Sequence, residues 1–216
     1  MESKYEHIKN LIGRYPALGV CKDDITKAYL ELELCYRKGC KLLVAGNGGS
    51  AADALHIVGE LMKAFVLPRK LNKEIRCLLD KNAEDADYLK ENLQMALPAI
   101  ALVSEVGLTT AYSNDVAPDL MFAQQVLGYA KEEDIFFGIS TSGNSKNIIY
   151  AAEVAKAMGM RVIGLTGATG GKLQDVCDVC IKVPENETYK VQELHLPVYH
   201  ALCLEIEKSM FSERLE

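Results

Sequence analysis

DIFFGISTSGNS, residues 134–145, decides the fold. Its first half is a continuous apolar run, as a strand buried on both faces needs. Its second half places hydroxyls and a glycine where the chain must turn. Apolar residues then return at helical spacing from about 144 to 158, so the stretch reads as strand, loop and helix start. The same change of rhythm occurs upstream: KLLVAG (41–46) leads into GNGGS (46–50), and helical spacing follows from Ser50 to Phe65. PAIALV (98–103), RVIGLTG (161–167) and DVCIKV (178–183) are further strand-like runs, with a short helix expected near 171–176. Strands alternating with helices predict βαβ units and a mainly parallel sheet, whose ligands bind where strands turn into helices. GNGGS and STSGNS both fall at such turns.

Residues 1–39 read as helical, with an interruption near Pro16 and Gly19. Residues 185–211 read as a long helix in which Pro197 predicts a kink or a broken start. The charged segment 68–97 predicts a helical insertion with solvated faces, a lid or an oligomer contact being the alternative.

The chain has 216 residues, enough for one sizeable core and cramped for two. Apolar residues at 49% and charged residues at 25% are the balance of a globular protein. A net charge of −6 argues against a protein that binds nucleic acid by neutralising phosphates. Apolar runs stop well short of the roughly 18 residues a membrane span needs, so no membrane association is expected. MESKYEHIKN has no apolar signal-peptide core, and the expected compartment is the cytoplasm. Seven cysteines argue against a fully paired disulfide framework. The CxxC of Cys177 and Cys180 lacks the further cysteines or histidines of a structural zinc site.

Ser140, Thr141, Ser142 and Ser145 put four hydroxyls into six residues that also contain Gly143. A helix N-terminus carries unsatisfied N–H groups and partial positive charge, so this loop suits a phosphate. It has no lysine at its core and is not a Walker loop. GNGGS is a second Gly-rich turn without the GxGxxG spacing of dinucleotide sites.

His56 and Glu60 stand four apart, on one face of the helix after GNGGS. Gln192 and His200, eight apart, share a face of the last helix, with His195 between them. A carboxylate, two imidazoles and an amide oxygen can hold a divalent metal, zinc being the plausible ion. They can equally pass protons between adjacent carbons and oxygens of a sugar without metal.

GNGGSAADALHIVGEL (46–61), GISTSGNSKNIIYAAEVAKAMGMRVIGLTGATGGKL (138–173) and VQELHLPVYHALCLEIE (191–207) resemble the sugar isomerase (SIS) domain family. Within it the likeness is greatest to the bacterial phosphoheptose isomerase branch, which carries the H-x3-E and Q-x7-H pairs. The resemblance covers most of residues 30–212, the 68–97 segment excepted. It implies an α/β, three-layer αβα sandwich, flavodoxin-like, with a five-stranded parallel sheet, long terminal helices and a single SIS domain over residues 1–216. It implies an aldose–ketose isomerase converting sedoheptulose 7-phosphate to a manno-heptose 7-phosphate through an enediol. Glu60 and His200 are then the catalytic acid–base pair. His56, Glu60, Gln192 and His200 are the implied zinc ligands. Asn47, Gly48, Gly49, Ser50, Glu105, Asn114, Asp115, Ser140, Thr141, Ser142, Ser145 and Gln192 are the implied substrate-binding residues. The implied assembly is a homotetramer with sites at subunit interfaces.

Three departures bear on the substrate. The 68–97 segment is about twenty residues longer than the usual connection of the family. Glu105 stands where the branch tends to have Asp, and Tyr189 precedes Gln192 where an Asp is common. Buried polar groups discriminate strongly between hydroxyl patterns, so another ketose phosphate is the alternative substrate. A non-catalytic module, binding a sugar phosphate or the replication initiator, is the alternative class; the presence of Glu60 and His200 favours an enzyme.

Overall fold

A computed structural model describes residues 5–212 of the chain. Residues 1–4, part of the segment expected to be helical, lie outside them. Helix α1 (Glu6–Arg14), a 3-10 turn (Pro16–Cys21) and α2 (Lys22–Arg37) lead into β1 (Leu42–Ala45) and α3 (Gly49–Met62). Two short helices follow, α4 (Lys73–Asn82) and α5 (Ala86–Asn92), then β2 (Ala99–Ala101), α6 (Val106–Asp115) and α7 (Met121–Tyr129). The chain continues through β3 (Ile135–Ser140), α8 (Lys146–Ala157), β4 (Arg161–Thr166), β5 (Val179–Lys182) and α9 (Thr188–Phe211).

The sheet runs in the order β2-β1-β3-β4-β5, every pairing parallel, as the alternation predicted. Residues alternate between its two faces because successive strand side chains point oppositely. Leu42, Val44, Phe137 and Ile163 pack with α1, α2, α3 and α9, while Leu43, Phe136 and Val162 pack with α7 and α8. The result is an αβα sandwich. Strand order reverses direction at β1, whose neighbours are β2 and β3, and a crevice opens beyond the carboxyl ends there. GNGGS and STSGNS flank that crevice.

Three expectations need correction. α9 starts at Thr188 rather than at 185, and it stays helical through Pro197. Pro197 itself is buried, and Val191, Val198, Leu202 and Ile206 seat the helix in the core on both sides of it, offsetting the backbone hydrogen bond that proline removes. The helix expected near 171–176 is a 3-10 turn over Lys172–Asp175. α6 and α7 give the chain two helices where no element was read. α6 buries none of its ten residues, so its sequence has no apolar stripe to reveal it.

The 68–97 segment is helical as predicted and closes on itself at its base. Met95 N donates to Arg69 O at 2.8 Å beside an antiparallel bridge between Lys70 and Gln94. Among the described residues no helix is long and apolar enough to cross a membrane.

Candidate active site

The loop at 140–145 is fixed mainly by its own backbone. Gly143 N donates to Ser140 O at 3.0 Å, Gly167 N to Thr141 O at 3.0 Å, and Leu173 N to Gly143 O at 2.9 Å. Gly143 has φ +66°, and a Cβ there would lie 1.9 Å from Gly170 O, so glycine is required on both counts. Ser140 Oγ and Ser145 Oγ share a hydrogen bond of 3.0 Å at the mouth of α8.

The two Gly-rich turns meet across the crevice. Asn47 and Asn147 exchange reciprocal amide hydrogen bonds of 3.0 and 2.9 Å. A cavity of about 290 Å³ lies between the turns, lined by Asn47, Gly48, Gly49, Ser50, Ser140, Thr141, Ser145 and Gln192. Eight of the implied substrate-binding residues therefore come together. Gln192 reaches the cavity because Gly49 has no side chain: a Cβ there would sit 2.5 Å from Gln192 Nε2. Ser142 is exposed at the loop's tip, where its Oγ accepts from Asn144 N at 3.2 Å. Thr188 and Asn147 escaped the sequence reading; the first lines the cavity and the second pins Asn47.

Glu105, Asn114 and Asp115 are not brought to this cavity. Glu105 flanks the start of α6, and Asn114 donates to Asp115 Oδ1 at 2.8 Å, exposed at its other end.

On the core side of the sheet α3 packs against α9, and the second cluster forms there. His56 Nε2 lies 3.2 Å from Glu60 Oε1 and 3.4 Å from His200 Nε2. Glu60 Oε2 also accepts from Lys63 Nζ at 2.9 Å. Tyr199 donates to Asp53 Oδ1 at 3.2 Å and stands 3.0 Å from His56 Nδ1. With its own proton given to Asp53, the Tyr199 oxygen accepts from His56 Nδ1–H, which assigns the tautomer and leaves His56 Nε2 facing the carboxylate. Burial, then the neighbouring His56, holds the His200 imidazole below its ordinary pKa against the opposing pull of Glu60, so it is neutral at pH 7. Burial raises the carboxyl of Asp53, the Tyr199 hydrogen bond working against it. A cavity of about 610 Å³ borders His200 and is walled across from it by Lys9, Arg14 and Tyr15 of the N-terminal segment.

The implied zinc ligands are divided. Spacings of 3.2 and 3.4 Å approximate the donor–donor edge of a tetrahedron with bonds of about 2 Å. Gln192, however, lines the cavity between the Gly-rich turns, and among the described residues no group of three or more His, Cys, Asp or Glu side chains forms a ready-made metal site. The donor types suit zinc, and the arrangement brings three of the four together.

Two Gly-rich turns around a cavity at the switch point of an all-parallel sheet, joined by two helices to a carboxylate–imidazole cluster, fit a sugar-phosphate isomerase of the SIS-domain class. Sequence comparison agrees: the SIS domain profile matches residues 85–167. The phosphoheptose isomerase of Aneurinibacillus thermoaerophilus is 41% identical over 179 residues, spanning 83% of this chain and 78% of that protein. Phosphoheptose isomerase 2 of Campylobacter jejuni is 39% identical, spanning 88% and 82%. The solved phosphoheptose isomerase of Neisseria gonorrhoeae superposes with a TM-score of 0.73 at 31% identity, covering 94% of this chain and 95% of that one. The chain belongs to the phosphoheptose isomerase family and is a catalytic member of the sugar-phosphate isomerases.

Proposed function

We propose that this enzyme interconverts sedoheptulose 7-phosphate and D-glycero-D-manno-heptose 7-phosphate. The observation that carries the reading is the linked trio Glu60–His56–His200, at 3.2 and 3.4 Å, on the two helices that also wall the phosphate cavity. The loop at 140–145 and the turn at 46–50 hold the phosphate and sugar, with Gln192 beside them. Glu60, as carboxylate, takes the proton from C1, and the C2 carbonyl oxygen gains a proton to give the enediol. Return of a proton to C2, with loss of the O1 proton, completes the aldose; His200 serves the oxygens. A neutral imidazole can both accept and donate in such a shuttle, which is what the lowered pKa of His200 supports.

The test is turnover of sedoheptulose 7-phosphate together with exchange of the C1 and C2 protons with solvent. Binding without exchange in the wild-type protein sinks the reading. Glu105, Tyr189 and the long insertion support a second reading, another ketose phosphate as substrate, and a panel of five- to seven-carbon ketose phosphates separates the two.

Zinc is proposed as the ion of this site, held by His56, Glu60 and His200, with Gln192 the fourth donor of the set. Bound zinc acts as a Lewis acid toward the sugar oxygens. Metal analysis of protein purified without chelator decides this, and substoichiometric zinc counts against it. A homotetramer with sites between subunits is the proposed assembly, in the cytoplasm. It is supported by α6, which exposes Val106 and Leu108 and presents Glu105, Asn114 and Asp115 away from the cavity of their own chain. A monomer in solution would refute it.

A further inference from the structure

Pro68 and Arg69, six and seven residues beyond the end of α3, begin the charged segment that reads as solvated. Arg69 is instead 2% exposed, its side chain wholly enclosed against that of Glu207 from α9. Its guanidinium makes three different bonds. Nε donates to Glu207 Oε1 at 2.8 Å, one terminal nitrogen donates to Leu61 O at 2.6 Å, and the other to Glu60 O at 3.0 Å. Glu207 in turn accepts from Phe65 N, Val66 N and Leu67 N at 2.7, 2.8 and 3.0 Å. Burial alone would raise the Glu207 carboxyl, but the three backbone donors and Arg69 outweigh it and hold the group ionised.

α3 ends at Met62, so the carbonyls of Glu60 and Leu61 belong to its last turn, which has no intrahelical donors. Positive charge and directed donors at a helix C-terminus stabilise that turn. Here the capped turn is the one that carries the Glu60 side chain, and Leu61 O also accepts from Leu97 N at 3.0 Å, where the insertion rejoins the sheet. Glu207 and His200 lie seven apart on α9 and so on one face. One buried ion pair thereby ties the end of the helix bearing Glu60 to the helix bearing His200.

We propose that Arg69, clamped by Glu207, is a positioning residue for the isomerisation: it caps the last turn of α3 and so sets where the Glu60 carboxylate stands relative to His200. The inference rests on Glu60 acting as the acid–base group. It also gives the insertion a defined root, since the chain enters it through the same arginine that completes the site.

The test is R69K, with Glu60→Gln run beside it. An ammonium keeps the charge opposite Glu207 but lacks the planar fork that reaches a carboxylate and two carbonyls together. The expected R69K protein is folded by circular dichroism and keeps its KM for sedoheptulose 7-phosphate within about twofold. Its kcat falls about 10- to 100-fold, because small misplacement of a reacting group is costly. If R69K does not fold, R69M/E207M replaces the pair by apolar side chains of similar length, a change buried ion pairs often tolerate, and the same outcomes apply. Wild-type kcat in the folded variant, beside an inactive Glu60→Gln, overturns the positioning role alone. Turnover that survives Glu60→Gln overturns the acid–base reading and this inference with it.

Discussion

The loop at 140–145 and the cluster of His56, Glu60 and His200, to which phosphate binding and proton transfer are assigned by proposal, are made in opposite ways. The loop is assembled from backbone atoms and short hydroxyls within one stretch of chain, locked by Gly143 against Gly170. The cluster is assembled from long side chains on two helices, and its contacts join residues 143 and 144 positions apart. A backbone site is specified by conformation and holds a fixed anion. A side-chain site is specified by packing, and its chemistry survives only if distant elements are set correctly. Damage to the loop should therefore appear in binding, and damage to the cluster in turnover.

The largest effect expected on this contrast is that of Glu60→Gln. Loss of a general base lowers kcat by about 10²- to 10⁴-fold, with KM nearly unchanged and the fold retained. Steady-state kinetics beside circular dichroism checks it, and a rise in KM at normal kcat would erase the distinction. On the acid side, kcat should decline only below the ordinary imidazole value of 6.5, because the folded His200 pKa is lowered.

His195, on α9 between Gln192 and His200, probes the support beneath both regions. It is fully buried, and among the described residues neither ring nitrogen has a well-formed hydrogen bond, the Thr166 backbone being a weak neighbour. Burial lowers its pKa from 6.5 to about 4, which the Thr166 backbone opposes only in part. The unfolded chain then binds the extra proton first, so this stability is present above pH 6.5 and is lost as pH falls toward 4. The loss is of order 3 kcal/mol at the acid end. Urea melts at pH 7 and pH 4.5 measure it, and His195→Met should flatten the difference. An unchanged pH dependence in that variant would reject the assignment.

Gly143→Ala should cost about 1–3 kcal/mol through left-handed strain and collision with Gly170. Inorganic phosphate should then no longer compete with substrate, while the cluster keeps its geometry. Competition at the wild-type Ki would show that the loop tolerates a side chain. Asn147→Ala is the mildest change. Freeing Asn47 from its reciprocal pair removes about 1 kcal/mol of hydrogen bonding and raises KM several-fold, and an unchanged KM would leave Asn147 a surface residue.

The same contrast explains what could be read from residue order. The five strands and both Gly-rich turns are local patterns, and each lies where its rhythm placed it. The pairs His56/Glu60 and Gln192/His200 are also local, being set by helical periodicity. What joins one pair to the other is not. Arg69 sits in a run of charges and meets Glu207 from 138 residues away, so nothing nearby signals that it is buried. Grouping Gln192 with His56, Glu60 and His200 as one ligand set is likewise a matter that helical periodicity alone does not decide. A shared helix face places Gln192 and His200 on one side but at different heights along the axis.

That difference in height makes α9 a calliper. Gln192 lines the cavity between the Gly-rich turns and His200 stands in the cluster with His56, and eight residues at about 1.5 Å each set their backbones roughly 12 Å apart along the helix axis. A rod of fixed length gauges its ligand from end to end. On the proposed roles of the two ends, a ketose phosphate with fewer carbons, once anchored, would fall short of the far jaw, and the helix would sort sugars by reach.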